Sequence, residues 1–391
     1  MRFTTAGESH GPGLIAVIEG IPAGLSLTPH DLNDDLARRQ LGYGRGGRMK
    51  IERDEATVVS GIRHGRTLGS PIALQIANRD YANWEDRMNP WPVEAEVTPV
   101  HLPRPGHADL AGVQKFGHDD VRNVLERASA RETTARVAAG AVARALLSEL
   151  GVALRSHVTR IGAVDAPAPA RPLELADFDA VDESPVRCLD KQAERAMIRE
   201  IDSQRKANES LGGIFEVLVF GAIPGLGSYT SWDGRIEGRL AQAICSIQAI
   251  KGVGFGDGFD LTGIPGSRAH DEMLPGGGPF GFHRVSNHAG GIEGGMTNGE
   301  TVVIKGAMKP LPTLTKPLRS VDIATGEATQ ALRERTDSCT VPAAGVVAEA
   351  MTALVFADAY LEKFGGDNID DTKAAVAAYR SRITKPGNAG A

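Results

Sequence analysis

His10 sits among small residues in Gly7–Glu8–Ser9–His10–Gly11, directly before an apolar run, and imidazole can exchange a proton near neutral pH. A second group, His101, His107 and His118, shares one loop region with Asp109, Asp119 and Asp120. Their spacings match no standard zinc pattern and no cysteine joins them, so a histidine that gives a proton to a leaving anion suits them better than a metal. Arg38, Arg39, Arg45, Arg48 and Lys50 crowd one segment, and Arg122, Arg127, Arg131 and Arg136 lie along another. Gly42–Tyr43–Gly44–Arg45–Gly46–Gly47 satisfies the dinucleotide pattern GxGxxG. That fingerprint needs a strand before it and a helix after it, and here the order is reversed. The alternative is an arginine loop whose glycines admit a ligand to the backbone while Arg39, Arg45 and Arg48 offer forked donors to carboxylate or phosphate. A solvated basic loop and a structural His10 are the plainer readings. Ser129 and Asp337 stand before helical segments, where capping and anion binding can be one act. Gly290–Gly299 and Lys309–Thr313 read as backbone-shaped walls.

Several of these motifs recur in altered form. AGESHGPGLIAVIEG from Ala6 is answered by ANESLGGIFEVLVFG from Ala207, and Ile21–Pro22 by Ile223–Pro224. Gly42–Gly46 is echoed by Gly254–Gly258, and Glu126–Ser129 by Glu334–Asp337. The echoes keep chain order, which indicates a gapped internal duplication. The copies differ at polar positions: His10 faces Leu211, Arg45 faces Asp257 and Ser129 faces Asp337. One asymmetric site between two halves is the expectation.

The elements needed to position these residues follow from periodicity and breakers. Strands are expected near 14–21, 56–62, 71–77, 152–164, 214–223 and 301–308. Helices are expected near 30–41, 132–150, 191–206, 234–249 and 342–364. Residues 79–120 read as long ordered loops, 165–190 as a surface excursion and about 380–391 as a frayed tail. Strands and helices interleave irregularly, so the fold class is α+β: a layered β-α-β sandwich of two pseudo-symmetric repeats rather than a doubly wound sheet. All 391 residues then form a single large domain, with halves at about 1–155 and 200–366.

Composition narrows the partners. The net charge of −6 argues against a nucleic-acid or membrane surface, and a local basic cluster on an acidic chain suits a small anion. Glycine numbers 47, about one residue in eight against a usual ~7%, and gathers in short loops. Three cysteines with no CxxC pair fit a reducing cytoplasm. No signal peptide is evident, and no apolar run approaches the ~20 residues of a membrane span.

Seven ordered segments carry a resemblance over nearly the whole length: GESHG at 7–11, RRQLGYGRGGRM at 38–49, RPGHADLAG at 104–112, ERASARETTAR at 126–136, SIQAIKGVGFGDGF at 246–259, NHAGGIEGGMTNGE at 287–300 and RTDSCTVPAAGVVAE at 335–349. The chain resembles the chorismate synthase family. One departure is Thr336, where the family often has Ser. The resemblance implies 1,4-anti elimination of phosphate from 5-enolpyruvylshikimate 3-phosphate, the last step of the shikimate pathway, with reduced FMN and no net redox change. It implies a cytoplasmic homotetramer. It leaves open whether NADPH reduces the flavin on this chain or an external flavin reductase supplies it. By matching position, His10 and His107 resemble proton donors to the flavin and to the leaving phosphate, and Asp337 resembles the group that accepts a proton through flavin N5. Arg39, Arg45, Arg48 and Arg131 would hold substrate anions, the first two also meeting NADP. Arg127, Ala128, Ser129, Gln248, Ala249, Gly294, Lys309, Pro310, Leu311, Pro312, Thr313 and Arg335 resemble the FMN contacts. No metal is implied. Two rivals use the same residues differently: a His/Asp phosphohydrolase that needs no flavin, and a non-catalytic anion-binding scaffold that tolerates loss of His10.

Overall fold

The computed structural model describes residues 1–46, 53–278, 280–332 and 337–384. The first half runs β1 (Arg2–Ala6), β2 (Gly13–Glu19), α1 (Pro29–Gln40), β3 (Ala56–Ser60), β4 (Ile62–Arg63), β5 (Arg66–Thr67), β6 (Ile72–Ala77), α2 (Asp109–Phe116), α3 (Arg122–Ala128) and α4 (Thr133–Glu149). Then come β7 (Ala153–Ile161), β8 (Val164–Asp165), α5 (Phe178–Glu183), α6 (Lys191–Lys206), β9 (Gly213–Phe220), α7 (Ile236–Cys245), β10 (Ile250–Phe255) and α8 (Gly266–Ala269). Short hairpins follow, β11 (Met273–Pro275) with β12 (Phe282–Arg284) and β13 (Ile292–Glu293) with β14 (Met296–Thr297). The chain closes with β15 (Val302–Met308), β16 (Arg319–Val321), β17 (Ala328–Gln330), α9 (Val341–Phe364) and α10 (Ile369–Thr384).

Alternation sets the inner faces of two antiparallel sheets, ordered β1-β2-β6-β3 and β10-β15-β9-β7-β8. Leu14, Ala16 and Ile18 of β2 and Ile72, Leu74 and Ile76 of β6 are buried on one face; Phe215, Val217 and Val219 of β9 do the same in the second sheet. Helix α4 packs on β2 and β6, α9 packs on β7 and β9, and the two helices pack on each other. Small residues let them approach: a Cβ on Gly140 of α4 would stand 2.4 Å from the Cβ of Ala350 in α9. Helix α1 starts where Thr28 and Asp31 form a capping box, with Pro29 at its first position.

Each sheet is built from the same chain order. Counted from β1, the first runs β1, β2, β6, β3; counted from β7, the second runs β7, β9, β15, β10. In both, a helix (α1 or α7) lies between the second and third of these strands in sequence, and a long helix (α4 or α9) follows the fourth. The likeness reaches single hydrogen bonds. Thr67 donates from Oγ1 to the Pro22 carbonyl and accepts from the Leu25 amide, while Thr297 donates to Ile223 and accepts from Leu226. One proposed echo does not correspond. Gly42–Gly46 follows α1 and precedes β3, whereas Gly254–Gly258 lies at and beyond the end of β10, one strand later.

Four expectations need correction. Residues 79–120 contain α2 and a 3-10 turn at Arg79–Asn83. The 165–190 segment is not merely superficial: Phe178 and Val181 of α5 are buried with Leu218 against the second sheet's other face. The C-terminal stretch is helical through Thr384, with Thr372 and Val376 buried. Helix α9, with 24 residues, is long and apolar enough to cross a membrane by length and composition, contrary to expectation, yet most of it is packed inside the fold.

Candidate active site

His10 lies in the turn between β1 and β2, where Gly7 takes a left-handed φ of 104° and a Cβ would meet the Gly13 carbonyl at 2.3 Å. Its Nδ1 is 2.9 and 3.0 Å from the two Glu126 carboxylate oxygens, and its backbone amide donates to the same group at 2.9 Å. Arg122, one turn earlier on α3, also donates to Glu126 at 2.9 Å. Burial alone would raise the Glu126 pKa, but the hydrogen bonds and charges of His10 and Arg122 hold it below the usual carboxylate range. Trp84 stacks on the imidazole at 4.0 Å, and the Arg87 and Arg122 guanidinium carbons lie over the indole at 5.4 and 5.1 Å.

His107 repeats the arrangement with different parts. Its Nδ1 is 2.5 Å from Asp109 Oδ1, at the start of α2. Arg104 grips that carboxylate through Nε at 2.8 Å, Nη2 at 3.2 Å and its amide at 3.0 Å. Asp109 is fully buried. Burial works against its ionisation, yet His107 and Arg104 pull its pKa well below the normal range.

The arginines are engaged by carboxylates. Arg131 and Arg39 both pair with buried Asp54, Arg39 at 3.4 Å. Arg39 also donates to Thr133 Oγ1 at 3.0 Å and to the Ala130 carbonyl at 2.9 Å, and Arg131 to Asn78 at 2.9 Å. Burial lowers the Arg39 pKa to about 9, with Asp54 opposing, and Arg45, Arg131 and Asp337 also act on it. It stays cationic at neutral pH. Asp337 accepts from the Gly46 amide at 2.5 Å and lies 3.3 Å from Arg45 Nη1, so it pins the glycine loop. It does not cap α9, whose N-cap is Thr340. Ser129 caps only the 3-10 turn Ala130–Glu132, accepting from the Arg131 amide at 3.2 Å, while the N-cap of α4 is Glu132. A cavity of about 250 Å³ opens beside Arg45, Asn208, Thr315 and Asp337. Arg48 and Arg335 lie outside the described residues, as does most of the Glu334–Asp337 echo.

Contacts stitch the remaining segments to these. Ser129 Oγ donates to Ser9 Oγ at 3.1 Å, and Arg127 donates to the carbonyls of Gly7 and Thr5 at 3.1 and 2.8 Å. Ala128 closes α3 beside them. Gln248 reaches Glu132 at 3.2 Å, and Glu132 also takes Thr5 at 2.6 Å and Arg136 at 2.8 Å. Ala249 holds a left-handed φ of 68°, and its carbonyl accepts the Lys309 amide at 3.0 Å. Lys309 Nζ donates to Gly106 beside His107 at 2.5 Å, and the Leu311 carbonyl accepts from Ser210 at 2.8 Å. Pro312 lies against Gly106, within 3.6 Å of where a Cβ would stand. Pro310 and Thr313 flank these in the same segment. Gly294 turns the β13–β14 hairpin with open space where a Cβ would point. Among the described residues no cluster of His, Cys, Asp and Glu could hold a metal. A larger cavity of about 750 Å³, beside Gly20, Arg239, Asp358 and Glu362, is lined by none of the candidate residues.

Sequence reasoning passed over Trp84, Asp54 and Glu132, and it named Asp109 and Glu126 without their roles beside the histidines. Asp109 stands two residues after His107 and Glu126 opens a repeated motif, so both had a local signal. Trp84 and Asp54 reach their partners only through the fold.

The chain is similar to known proteins over nearly its whole length. A family model described as chorismate synthase matches residues 1–361. The chain is 56% identical over 384 residues to a chorismate synthase of Rubrobacter xylanophilus, covering 98% of this chain and 97% of that one. It is 53% identical over 391 residues to one from Streptomyces coelicolor, covering 98% of each. A solved structure entitled "Crystal Structure of Chorismate Synthase" superposes with a TM-score of 0.80 at 42% identity, covering 98% of both chains.

Proposed function

The chain belongs to the chorismate synthase family, and from that premise we propose how its residues divide the reaction. It is a lyase of the shikimate pathway, eliminating phosphate from 5-enolpyruvylshikimate 3-phosphate to give chorismate. The observation that carries the residue assignment is that both histidines stand on buried carboxylates, while Asp337 separately holds the arginine loop. His107 gives its proton to the departing phosphate, His10 acts as the second proton donor, and Asp337 is the acceptor. Arg45 and its neighbours meet the substrate's anionic groups.

The residues also fit reduced FMN. Arg127, Ser129 and Lys309 offer the cationic and hydroxyl donors a phosphate takes, and the strained Ala249 with the open face of Gly294 suits a flat ring laid against backbone. When bound, that cofactor would supply an electron-rich ring to ease loss of the phosphate and take up the ring hydrogen. NADPH, or an external reductase, would keep it reduced. The protein's part is binding, orientation and proton supply. Phosphate release measured anaerobically with and without reduced FMN tests this: release should need the reduced cofactor and match chorismate mole for mole. Equal turnover with oxidised FMN in reductant-free buffer would favour a phosphohydrolase.

Two further readings concern the whole chain. The matched strand orders and the paired Thr67 and Thr297 bonds support a single domain of two pseudo-symmetric repeats in a layered sandwich. Exposed Trp232, Phe259, Met273 and Phe282 support an interface between copies, here a homotetramer, which sedimentation equilibrium would test.

A further inference from the structure

We propose that Glu126 and Asp109 are positioning residues that fix His10 and His107 in the same tautomer, with the proton on Nδ1 and proton exchange confined to Nε2. This rests on the assignment of both histidines as proton donors. An ionised carboxylate only accepts hydrogen bonds, so an imidazole nitrogen 2.5–3.0 Å from one must carry hydrogen. Arg104 Nη2 lies 3.2 Å from His107 Nδ1, but two donors cannot share that atom's proton. Arg104 therefore belongs to the fork on Asp109.

Both sites use one design in separate parts of the chain: imidazole, then a carboxylate at most 2% exposed, then an arginine that compensates it. The histidine and then the arginine keep the carboxylate ionised against its burial. The charged groups around His10 are Glu126 and Arg122 of α3 and, across Trp84, Arg87. Those around His107 are Asp109, Arg104 and the Lys309 ammonium on Gly106. Indole stacking fixes the His10 ring plane as well, so Nε2 keeps one direction through a catalytic cycle.

Solid-state nitrogen NMR of the full-length protein labelled at histidine, with signals assigned by difference from His10→Ala and His107→Ala, reads the tautomers directly. Both neutral rings should be protonated at Nδ1. Glu126→Gln, whose amide can donate as well as accept, should let His10 populate the Nε2 tautomer and leave His107 unchanged; Asp109→Asn should do the converse. In steady state each should lower kcat roughly tenfold with KM little changed. A wild-type ring protonated at Nε2, or a His10 tautomer unchanged in Glu126→Gln, overturns the proposal without requiring any variant of Asp109 to fold. If the tautomers change while kcat does not, the positioning stands and the assignment of the histidines as proton donors fails.

Discussion

At the scale of the residue, the two histidines and the arginines should respond differently to truncation. On the proposed assignment His10→Ala and His107→Ala each remove a proton-donating ring that is only partly buried, so turnover should fall by roughly 10²–10⁴ with little change in thermal midpoint. Wild-type turnover in a folded His10→Ala protein would return that residue to a structural role. The arginines divide. Arg39 is 6% exposed and shares Asp54 with Arg131, so Arg39→Ala unbalances a buried charge group and should destabilise by about 3–5 kcal/mol besides weakening substrate binding. Arg45→Ala removes the contact to Asp337 and should weaken substrate binding with a smaller loss of stability. Denaturant midpoints beside substrate titrations separate the two, and equal midpoints would refute the distinction.

At the scale of the element, the α4–α9 contact depends on side chains too small to keep the helices apart. Gly140→Ala places a methyl at 2.4 Å from that of Ala350 and should cost about 1–3 kcal/mol. Adding Ala350→Gly should recover part of that loss, and a double variant no more stable than the single would place the strain elsewhere. Helix α9 also carries Glu349, fully buried, bound by Arg38 at 2.8 and 2.9 Å, Arg144 at 2.6 Å, Arg187 at 3.4 Å and Ser156 at 2.6 Å. Burial pushes its pKa up, but Arg38 and Arg144 override this and hold it far below normal. With the folded pKa below the unfolded value of ~4.3, its stabilisation is complete at neutral pH and fades as pH falls below that value. Glu349→Gln should therefore be markedly less stable than wild type at pH 7, with the gap narrowing toward low pH in urea unfolding. A gap independent of pH would show that the charge is not what matters.

At the scale of the whole molecule, the proposed duplication would explain how one site can be asymmetric, with two like halves supplying different groups to the two ends of one substrate. His10 matches Leu211 in the repeated sequence segments. Leu211 is 9% exposed within the main core and its amide donates to the Ser338 carbonyl. Leu211→His should create no second site and should cost about 1–3 kcal/mol from a poorly satisfied buried ring. Thermal melts with and without FMN check this; unchanged stability would mean the position is more open than its packing indicates.

What the amino-acid order determined by itself was mostly local. Breakers, caps and apolar period located the main strands and long helices, because those signals act within a turn or a strand width. Motif order located the family, and with it the candidate residues, since GESHG, the arginine loop and ERAS each survive as contiguous strings. Helix α5 escaped because its two buried residues, Phe178 and Val181, lie among acids and prolines that read as solvent-facing. What stands against each functional group was decided only by the tertiary structure. Trp84 meets His10 across 74 residues, Asp54 joins Arg39 to Arg131, and Asp337 reaches Gly46 across 291. Such pairs are set by how two sheets clasp two helices, and a buried charge must find its partner wherever packing brings one, at whatever distance along the chain.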